Sequence, residues 1–82
     1  MYEILLTHRA LKDLKNIEKG IYNRIFIKLN EYREDPLKYA RKLVNPKIGT
    51  YRFRIGDYRV IFDIDKENII ILRIGHRKDI YK

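Results

Sequence analysis

Residues 51–62 read Tyr-Arg-Phe-Arg-Ile-Gly-Asp-Tyr-Arg-Val-Ile-Phe, and this stretch predicts a β-hairpin. Apolar and charged side chains alternate strictly from Tyr51 to Ile55, which is the pattern of a strand with one buried and one exposed face. Gly56-Asp57 is a two-residue hairpin turn, and a turn of this length fixes the register of the two strands it joins. The predicted cross-strand neighbours are Ile55 and Tyr58, Arg54 and Arg59, Phe53 and Val60, and Arg52 and Ile61.

This register sorts the side chains of the hairpin onto two faces. The apolar face is expected to form the core beneath the helices and carries Tyr51, Phe53, Ile55, Tyr58, Val60, Phe62 and Ile64. The other face carries Arg52, Arg54, Arg59 and Ile61. Like charges opposite one another destabilise a sheet, so the cluster favours a site for a polyanion over an ordinary solvated face, which stays open as the alternative. Asp63 has the same parity and is expected to neutralise part of the cluster.

The chain on either side of the hairpin supplies the other elements. A short apolar strand is predicted over residues 2–6, and Thr7 is a plausible N-cap for a helix that begins near His8 and stops at Gly20. A second helix follows to Tyr32 and ends before Asp35-Pro36, because the residue before a proline resists helical geometry. A helical turn is expected over residues 38–43, and a last strand over residues 69–74. The fold class is therefore α+β with the order β-α-α-β-β-β: a mostly antiparallel sheet with a two-helix hairpin packed on one face.

The direction of the Arg77 side chain depends on which residues of the last strand point away from the helices. If Ile69, Ile71, Arg73 and Gly75 point away from the helices, Arg77 is aimed at the same face as the hairpin arginines. This arrangement requires a connection of three or five residues after Ile64. Arg73 itself is interpreted as a charge at the rim of the sheet.

Length and charge restrict the function. The chain has 82 residues, which is the size of one domain spanning 1–82, and its formal net charge is +8. The stretch from Pro36 to Arg59 holds +6 of that charge, with Asp57 as its only acid, so a polyanion is the expected partner. Its basic residues are Lys38, Arg41, Lys42, Lys47, Arg52, Arg54 and Arg59.

Several classes of chemistry and location are disfavoured by the residue inventory. The sequence has neither serine nor cysteine, and neither threonine has a recognisable base beside it, so nucleophilic catalysis by the protein is not expected. Two histidines without cysteine or an acidic cluster predict no metal site. No segment resembles a signal peptide or reaches the ~20 apolar residues that span a bilayer, so we expect a cytoplasmic protein with no membrane partner.

Taken together, these residues resemble the RelE/ParE toxin superfamily over nearly the whole chain. Thr7 to Leu14 is similar to the family's entry into its first helix, Asp35-Pro36 closes the helix pair, and Lys42-Leu43 precedes the strands. The most specific parts are the Gly-Asp-Tyr-Arg turn at residues 56–59 and the His-Arg-Lys-Asp-Ile-Tyr sequence at residues 76–81.

The resemblance implies a toxin of a toxin–antitoxin pair. RelE-type members enter the ribosomal A site and cut mRNA with the RNA's own 2′-hydroxyl as nucleophile, leaving a cyclic phosphate. By this resemblance the catalytic residues are Arg52, Arg54, Arg59, Arg77 and Tyr81, with Arg59 and Arg77 on the transition-state phosphate and Tyr81 as the base. No cofactor is implied. The implied partners are an acidic RelB-like antitoxin, the ribosome and mRNA.

Further basic residues are predicted to bind RNA, and two other functions stay open. The predicted RNA-binding set is Lys38, Arg41, Lys42, Lys47, His76 and Lys78. Arginine does not release its proton, so the general acid is left unassigned. The alternatives are a ParE-like toxin, which poisons DNA gyrase and cuts nothing, and a non-enzymatic module that binds RNA or the ribosome through its basic face.

Overall fold

The hairpin forms in the predicted register and lies inside a larger sheet. The computed structural model describes residues 1–44 and 47–81, and within that part the sheet has five strands in the order β1-β5-β4-β3-β2. The elements are β1 (Glu3–Leu6), α1 (His8–Lys15), α2 (Lys19–Tyr32), α3 (Pro36–Tyr39), β2 (Arg41–Lys42), β3 (Tyr51–Ile55), β4 (Tyr58–Asp65) and β5 (Asn68–His76). Only β1 and β5 pair in parallel; the other neighbours are antiparallel, so the predicted fold class is confirmed.

The first helix begins where the sequence predicts and ends earlier. The Thr7 hydroxyl accepts a hydrogen bond from the Ala10 N–H at 3.1 Å, which caps the N-terminus of α1. The prediction that Gly20 stops this helix is wrong. The N–H groups of Asn16 and Ile17 bond the carbonyls three residues before them, which tightens and closes the last turn. Gly20 instead lies in the first turn of α2, where its N–H donates to the Glu18 carboxylate at 3.0 Å.

The segment after the helix pair also differs from expectation. The helical turn covers Pro36–Tyr39 rather than residues 38–43, because proline fixes a helical φ at the first position of a helix. Tyr39 then stacks on Tyr32 with ring centroids 4.2 Å apart. The chain extends at Ala40 and adds β2 to the edge of β3.

The last strand turns its early isoleucines toward the helices. Ile69 and Ile71 belong to the core, so the condition on which the last strand would aim Arg77 at the face of the hairpin arginines is not met for these two residues. The connection before β5 has two residues rather than three or five, with Lys66 at a φ of 57°. A β-bulge then shifts the register, because Phe62 faces Ile71 while Ile61 faces Arg73. The shift returns Ile74 to the core and places Gly75 opposite Arg59.

The face of the sheet opposite the helices is partly covered by the chain that precedes β3. Ile61 is fully buried although it lies on that face. The backbone at Gly49 passes so close that a Cβ there would lie 2.5 Å from Ile61 Cγ2 and 3.0 Å from Leu72 Cδ1. Asp63 Oδ1 accepts the Thr50 N–H at 2.7 Å. Asp63 therefore anchors this segment, and its predicted pairing with the arginine cluster is corrected.

The core lies between the sheet and the helices. Phe53 and Phe62 stack at 4.2 Å between centroids and are fully buried. They pack with Ile25 and Leu29 of α2 and with Ala10 and Leu14 of α1, as the apolar stripes of the two helices predict. Among residues 1–44 and 47–81, no helix has the length and apolar content to cross a membrane.

Candidate functional site

Four arginines lie on the sheet face opposite the helices, and we call this surface the arginine face. Arg54 and Arg59 are direct cross-strand neighbours, as the hairpin register predicts. The short strand β2 adds Arg41 opposite Arg52. The sequence predicted Arg41 as an RNA-binding residue in a helical turn over residues 38–43, but its alignment with Arg52 depends on a strand of two residues that carries little periodic pattern. The arginine face consists of Arg41, Arg52, Arg54 and Arg59.

Arg59 is the fixed centre of the arginine face. Its side chain is buried, with 7% of the residue exposed, and Nη1 donates to the carbonyl oxygens of Gly56 and Tyr58, both at 3.0 Å. Burial lowers the pKa of Arg59, and the positive charges of Arg54 and Arg52 lower it further. A guanidinium that is held in place among like charges is stabilised by any anion that binds there.

Arg77 joins this group from the end of β5. Its main-chain N–H donates to the Asp57 carbonyl at 2.8 Å, and its Nε lies 3.7 Å from the Asp57 carboxylate. Its charge also lowers the pKa of Arg59, so it acts on the same site. The Arg77 side chain is 53% exposed and accessible to a ligand.

Tyr81 reaches the arginine face because the chain turns back after β5. Ile80 is buried against Gly75, where a Cβ would lie 3.0 Å from Ile80 Cδ1. Tyr81, half exposed, then lines a groove of about 430 Å³ together with Arg52 and Lys42. The apolar residues Leu43, Val44 and Ile48 also line this groove. Tyr81 raises the pKa of Arg59, against the effect of burial.

The structure therefore brings together the five residues predicted to be catalytic. Arg52, Arg54, Arg77 and Tyr81 all act electrostatically on Arg59. Such a surface can bind a phosphodiester on several guanidinium groups with a phenol beside it. That arrangement suits both phosphate binding and proton removal.

The residues predicted to bind RNA are spread more widely. Lys42 lines the Tyr81 groove, and Lys47 and Lys78 are exposed. Lys38 lies on α3 with its Nζ 5.6 Å from the centre of the Tyr39 ring. His76 does not join the arginine face, because its register opposite Tyr58 places it on the helix side of the sheet.

Sequence reasoning missed Asp13, which binds the strand that leads to Arg77. Its carboxylate accepts hydrogen bonds from Arg73 Nε and from the Ile74 N–H, both at 2.9 Å. Arg73 is thus engaged with α1 rather than being a simple rim charge. The sequence carries a usable indication: Asp13 lies three residues after Ala10 and four before Ile17, which places a carboxylate on the buried stripe of a helix.

One further groove lies away from the arginine face. An open groove of about 920 Å³ lies along α1 and exposes Leu11 and Tyr22, at 44% and 39% of their area. Basic side chains line it too. Its lining residues are His8, Arg9, Leu11, Lys12, Leu14, Lys15, Asn16 and Tyr22. Across the described residues, no three His, Asp or Glu side chains are grouped as metal ligands.

Known proteins resemble this chain along its whole length. The family described as "ParE toxin of type II toxin-antitoxin system, parDE" matches residues 4–81. Toxin RelG of Mycobacterium tuberculosis is 31% identical over 84 residues, covering 99% of this chain and 97% of RelG. Toxin RelE3 of Methanocaldococcus jannaschii is 31% identical over 83 residues, covering 96% of this chain and 94% of RelE3.

Solved structures agree with this result. The toxin–antitoxin complex RelBE2 of Mycobacterium tuberculosis contains a chain that superposes with a TM-score of 0.82 at 28% identity, covering 93% of this chain and 98% of that one. The chain belongs to the RelE/ParE superfamily and is a RelE-type toxin of a type II toxin–antitoxin system.

Proposed function

We propose that this toxin is a ribosome-dependent endoribonuclease that cuts mRNA in the A site without a metal ion. The observation that carries the proposal is that Tyr81 lines one groove with Arg52, on the sheet face that also carries Arg59, while Arg77 lies beside the hairpin turn at Asp57. We further propose that residues 1–82 act as one domain. The proposed location is the cytoplasm, where ribosomes and mRNA are found.

The proposed reaction uses the RNA as its own nucleophile. Tyr81, as phenolate, removes the proton of a 2′-hydroxyl, and the 2′-oxygen attacks the adjacent phosphorus. The bond from phosphorus to the 5′-oxygen breaks, which leaves a 2′,3′-cyclic phosphate and a 5′-hydroxyl. Arg59 and Arg77 stabilise the charge that develops on the phosphoryl oxygens, with Arg52 and Arg54 around them.

The ribosome has a defined part in this proposal. Arginine does not release its proton, so in this proposal a group of the ribosomal A site, or a water molecule held there, protonates the leaving 5′-oxygen, and Tyr81 later returns the 2′-hydroxyl proton to solvent. An ordered A site also holds the RNA with its 2′-oxygen in line with the leaving oxygen, and well-oriented reactions gain several kcal/mol from such positioning. Free RNA lacks that constraint and is expected to be cut slowly.

The test is cleavage by the purified protein on programmed ribosomes, with the same mRNA free in solution as control. We expect rapid cutting only on the ribosome, with cyclic phosphate at the new 3′ ends. Equally fast cutting of the free RNA would refute ribosome dependence.

The partner that silences the toxin is proposed to be an acidic, partly disordered antitoxin. The groove along α1 offers exposed Leu11 and Tyr22 with Lys12 and Lys15 beside them, which suits an amphipathic acidic segment that folds as it binds. Co-expression with the product of a neighbouring acidic reading frame should give a stable complex. A failure to form one would contradict this assignment.

A ParE-like activity is the second candidate, because the family match carries the ParE name. The arginine face with Tyr81 favours the nuclease, since a gyrase inhibitor that cuts nothing has no need of a phenol beside clustered guanidinium groups. A DNA supercoiling assay with purified gyrase separates the two functions. Ribosome binding without any cleavage would instead support a non-enzymatic module.

A further inference from the structure

His76 lies at the end of β5, and its ring faces away from the arginine face. The residue pairs with Tyr58 in the β4–β5 register, and the two rings meet edge to face with centroids 5.4 Å apart. Tyr58 packs against the core, so the imidazole lies on the helix side of the sheet. A direct contact between this ring and an RNA phosphate on the arginine face is therefore not supported.

His76 instead organises the turn that follows it. Its Nδ1 accepts the N–H of Lys78, two residues later, at 3.1 Å. Its main-chain carbonyl accepts the N–H groups of Asp79 and Ile80, both at 2.9 Å. A side-chain acceptor that bonds the backbone two residues on is the geometry of an Asx turn, here formed by a histidine.

The turn carries two residues of the proposed catalytic group. Arg77 begins it, and Tyr81 follows Ile80, whose side chain is buried. The base of the turn is also held firmly, because Asp13 binds the N–H of Ile74 just before it. The path from β5 to Tyr81 is thus set by a few bonds that centre on His76.

We propose that His76 is a positioning residue whose neutral Nδ1 sets the turn that delivers Tyr81 to the arginine face. The acceptor role requires a lone pair on Nδ1 and therefore the proton on Nε2. The edge-to-face contact with Tyr58 fixes the ring plane so that Nδ1 faces the Lys78 N–H. The catalytic consequence rests on the proposed nuclease function, whereas the turn itself does not.

Two substitutions separate this role from RNA contact or proton transfer. His76→Asn keeps an acceptor near the position of Nδ1, as in an ordinary Asx turn, and should cut programmed ribosomes within a few-fold of the parent rate. His76→Gln carries its amide one bond further out, near the position of Nε2, and should lose roughly tenfold or more, as should His76→Ala, because small misplacements at a reacting centre are costly. Ribosome binding should be unchanged in all three.

Asn30→Gln, on the exposed surface of α2, controls for the exchange of asparagine and glutamine as such. A loss in His76→Asn as large as that in His76→Ala would overturn the proposal, and so would full activity in His76→Gln.

A second measurement tests the turn without any cleavage. The Lys78 amide should be protected from hydrogen exchange in the parent and in His76→Asn, and unprotected in His76→Gln and His76→Ala. The Tyr81 backbone should become more mobile in the same two variants. If the parent fails to cut ribosome-bound mRNA but these amide results hold, the nuclease function fails and the turn stands. Equal Lys78 protection in all variants would refute the role of Nδ1.

Discussion

At the scale of single residues, Arg59 and Arg77 differ in burial and in the bonds that their side chains make. Arg59 is buried and bonded to two carbonyl oxygens, whereas Arg77 is half exposed and its Nε lies 3.7 Å from the Asp57 carboxylate. A buried, bonded guanidinium supports the hairpin as well as the site, so its removal would confuse folding with chemistry. Arg77 is therefore the residue to test first.

We expect Arg77→Ala to reduce single-turnover cleavage on programmed ribosomes by about 10²–10³-fold, the usual cost of removing one electrostatic donor from a transition state. Ribosome binding should change little, because the other cations supply most of the attraction. Arg77→Lys should recover part of the rate, since it keeps the charge and loses the bidentate fork. Lys19→Ala, which removes a charge on exposed surface, is the control. Unchanged cleavage in Arg77→Ala would remove this residue from the mechanism.

Tyr81→Phe tests the proposed base, because it keeps the ring in the groove and removes the hydroxyl. General base catalysis contributes about 10²–10⁴-fold, so the variant should bind programmed ribosomes normally and cut them slower by that order. The measurement is single-turnover cleavage at saturating protein. A parent-like rate would show that another group takes the 2′-hydroxyl proton.

At the scale of elements, α1 completes the edge of β5 where β1 ends. The β1–β5 pairing stops at Ile71, and beyond it the Thr7 hydroxyl donates to the Leu72 carbonyl at 3.2 Å while Asp13 accepts from Arg73 and Ile74. A helix thus bonds the groups that a longer first strand would have bonded. The strand that carries Arg77 depends on this junction.

Asp13→Asn should lower the free energy of unfolding by about 1–3 kcal/mol, because it removes a charged acceptor and turns an amide donor toward Arg73 or Ile74. Urea denaturation measures the change. Glu31→Gln removes the same charge from an exposed ion pair with Lys28 on α2 and should cost little. Equal stability of the two variants would show that the Asp13 junction contributes nothing beyond a surface pair.

Gly49→Ala tests the segment that covers Ile61. The new Cβ would lie 2.5 Å from Ile61 Cγ2 at a φ of 153°, so a cost of about 1–3 kcal/mol is expected from overpacking and backbone strain. Gly20→Ala is the matched control. Its Cβ would meet only the flexible Glu18 carboxylate, at 3.1 Å, and alanine favours a helix, so its stability should be near that of the parent. Thermal unfolding of both variants measures the change in stability. A Gly49→Ala variant as stable as the parent would show that the segment over Ile61 moves aside freely.

At the scale of the whole molecule, charge is distributed unevenly over two surfaces. The net charge of +8 concentrates where β2, β3 and β4 present the arginine face, while the α1 groove combines apolar side chains with scattered cations. The first surface suits a phosphate backbone, and the second suits an amphipathic segment of a protein. Under the proposed function, the chain binds its RNA target and its antitoxin through two surfaces of different chemistry.

Binding to a short single-stranded RNA should weaken steeply with salt, because each neutralised phosphate releases counterions. The slope of the logarithm of affinity against the logarithm of salt is about −0.7 for each contact with single-stranded RNA. Arg54→Ala should reduce the slope by about one such contact, and Lys19→Ala should leave it unchanged. A slope that is insensitive to Arg54 would show that this exposed arginine does not contact phosphate.

Local sequence determined the hairpin and the arginine cluster that lies on it. The Gly56-Asp57 turn fixes which residues face each other, so the pairing of Arg54 with Arg59 follows from a few neighbouring residues. The family resemblance and the order of elements were also readable from sequence and are confirmed. The roles of the site residues stay predictions until the variants are measured.

Strand register, side-chain orientation and hydrogen-bond partners that depend on residues far apart in the chain follow from the tertiary structure. The β-bulge at Leu72 accompanies the packing of β5 against both the helices and Gly49, so the strand pattern alone left open which face Ile69 and Ile71 take. The orientation of His76 and the partner of Arg73 follow from that register and from α1. The bond between Arg73 and Asp13 joins residues 60 apart in the chain, and no local periodicity encodes such a contact.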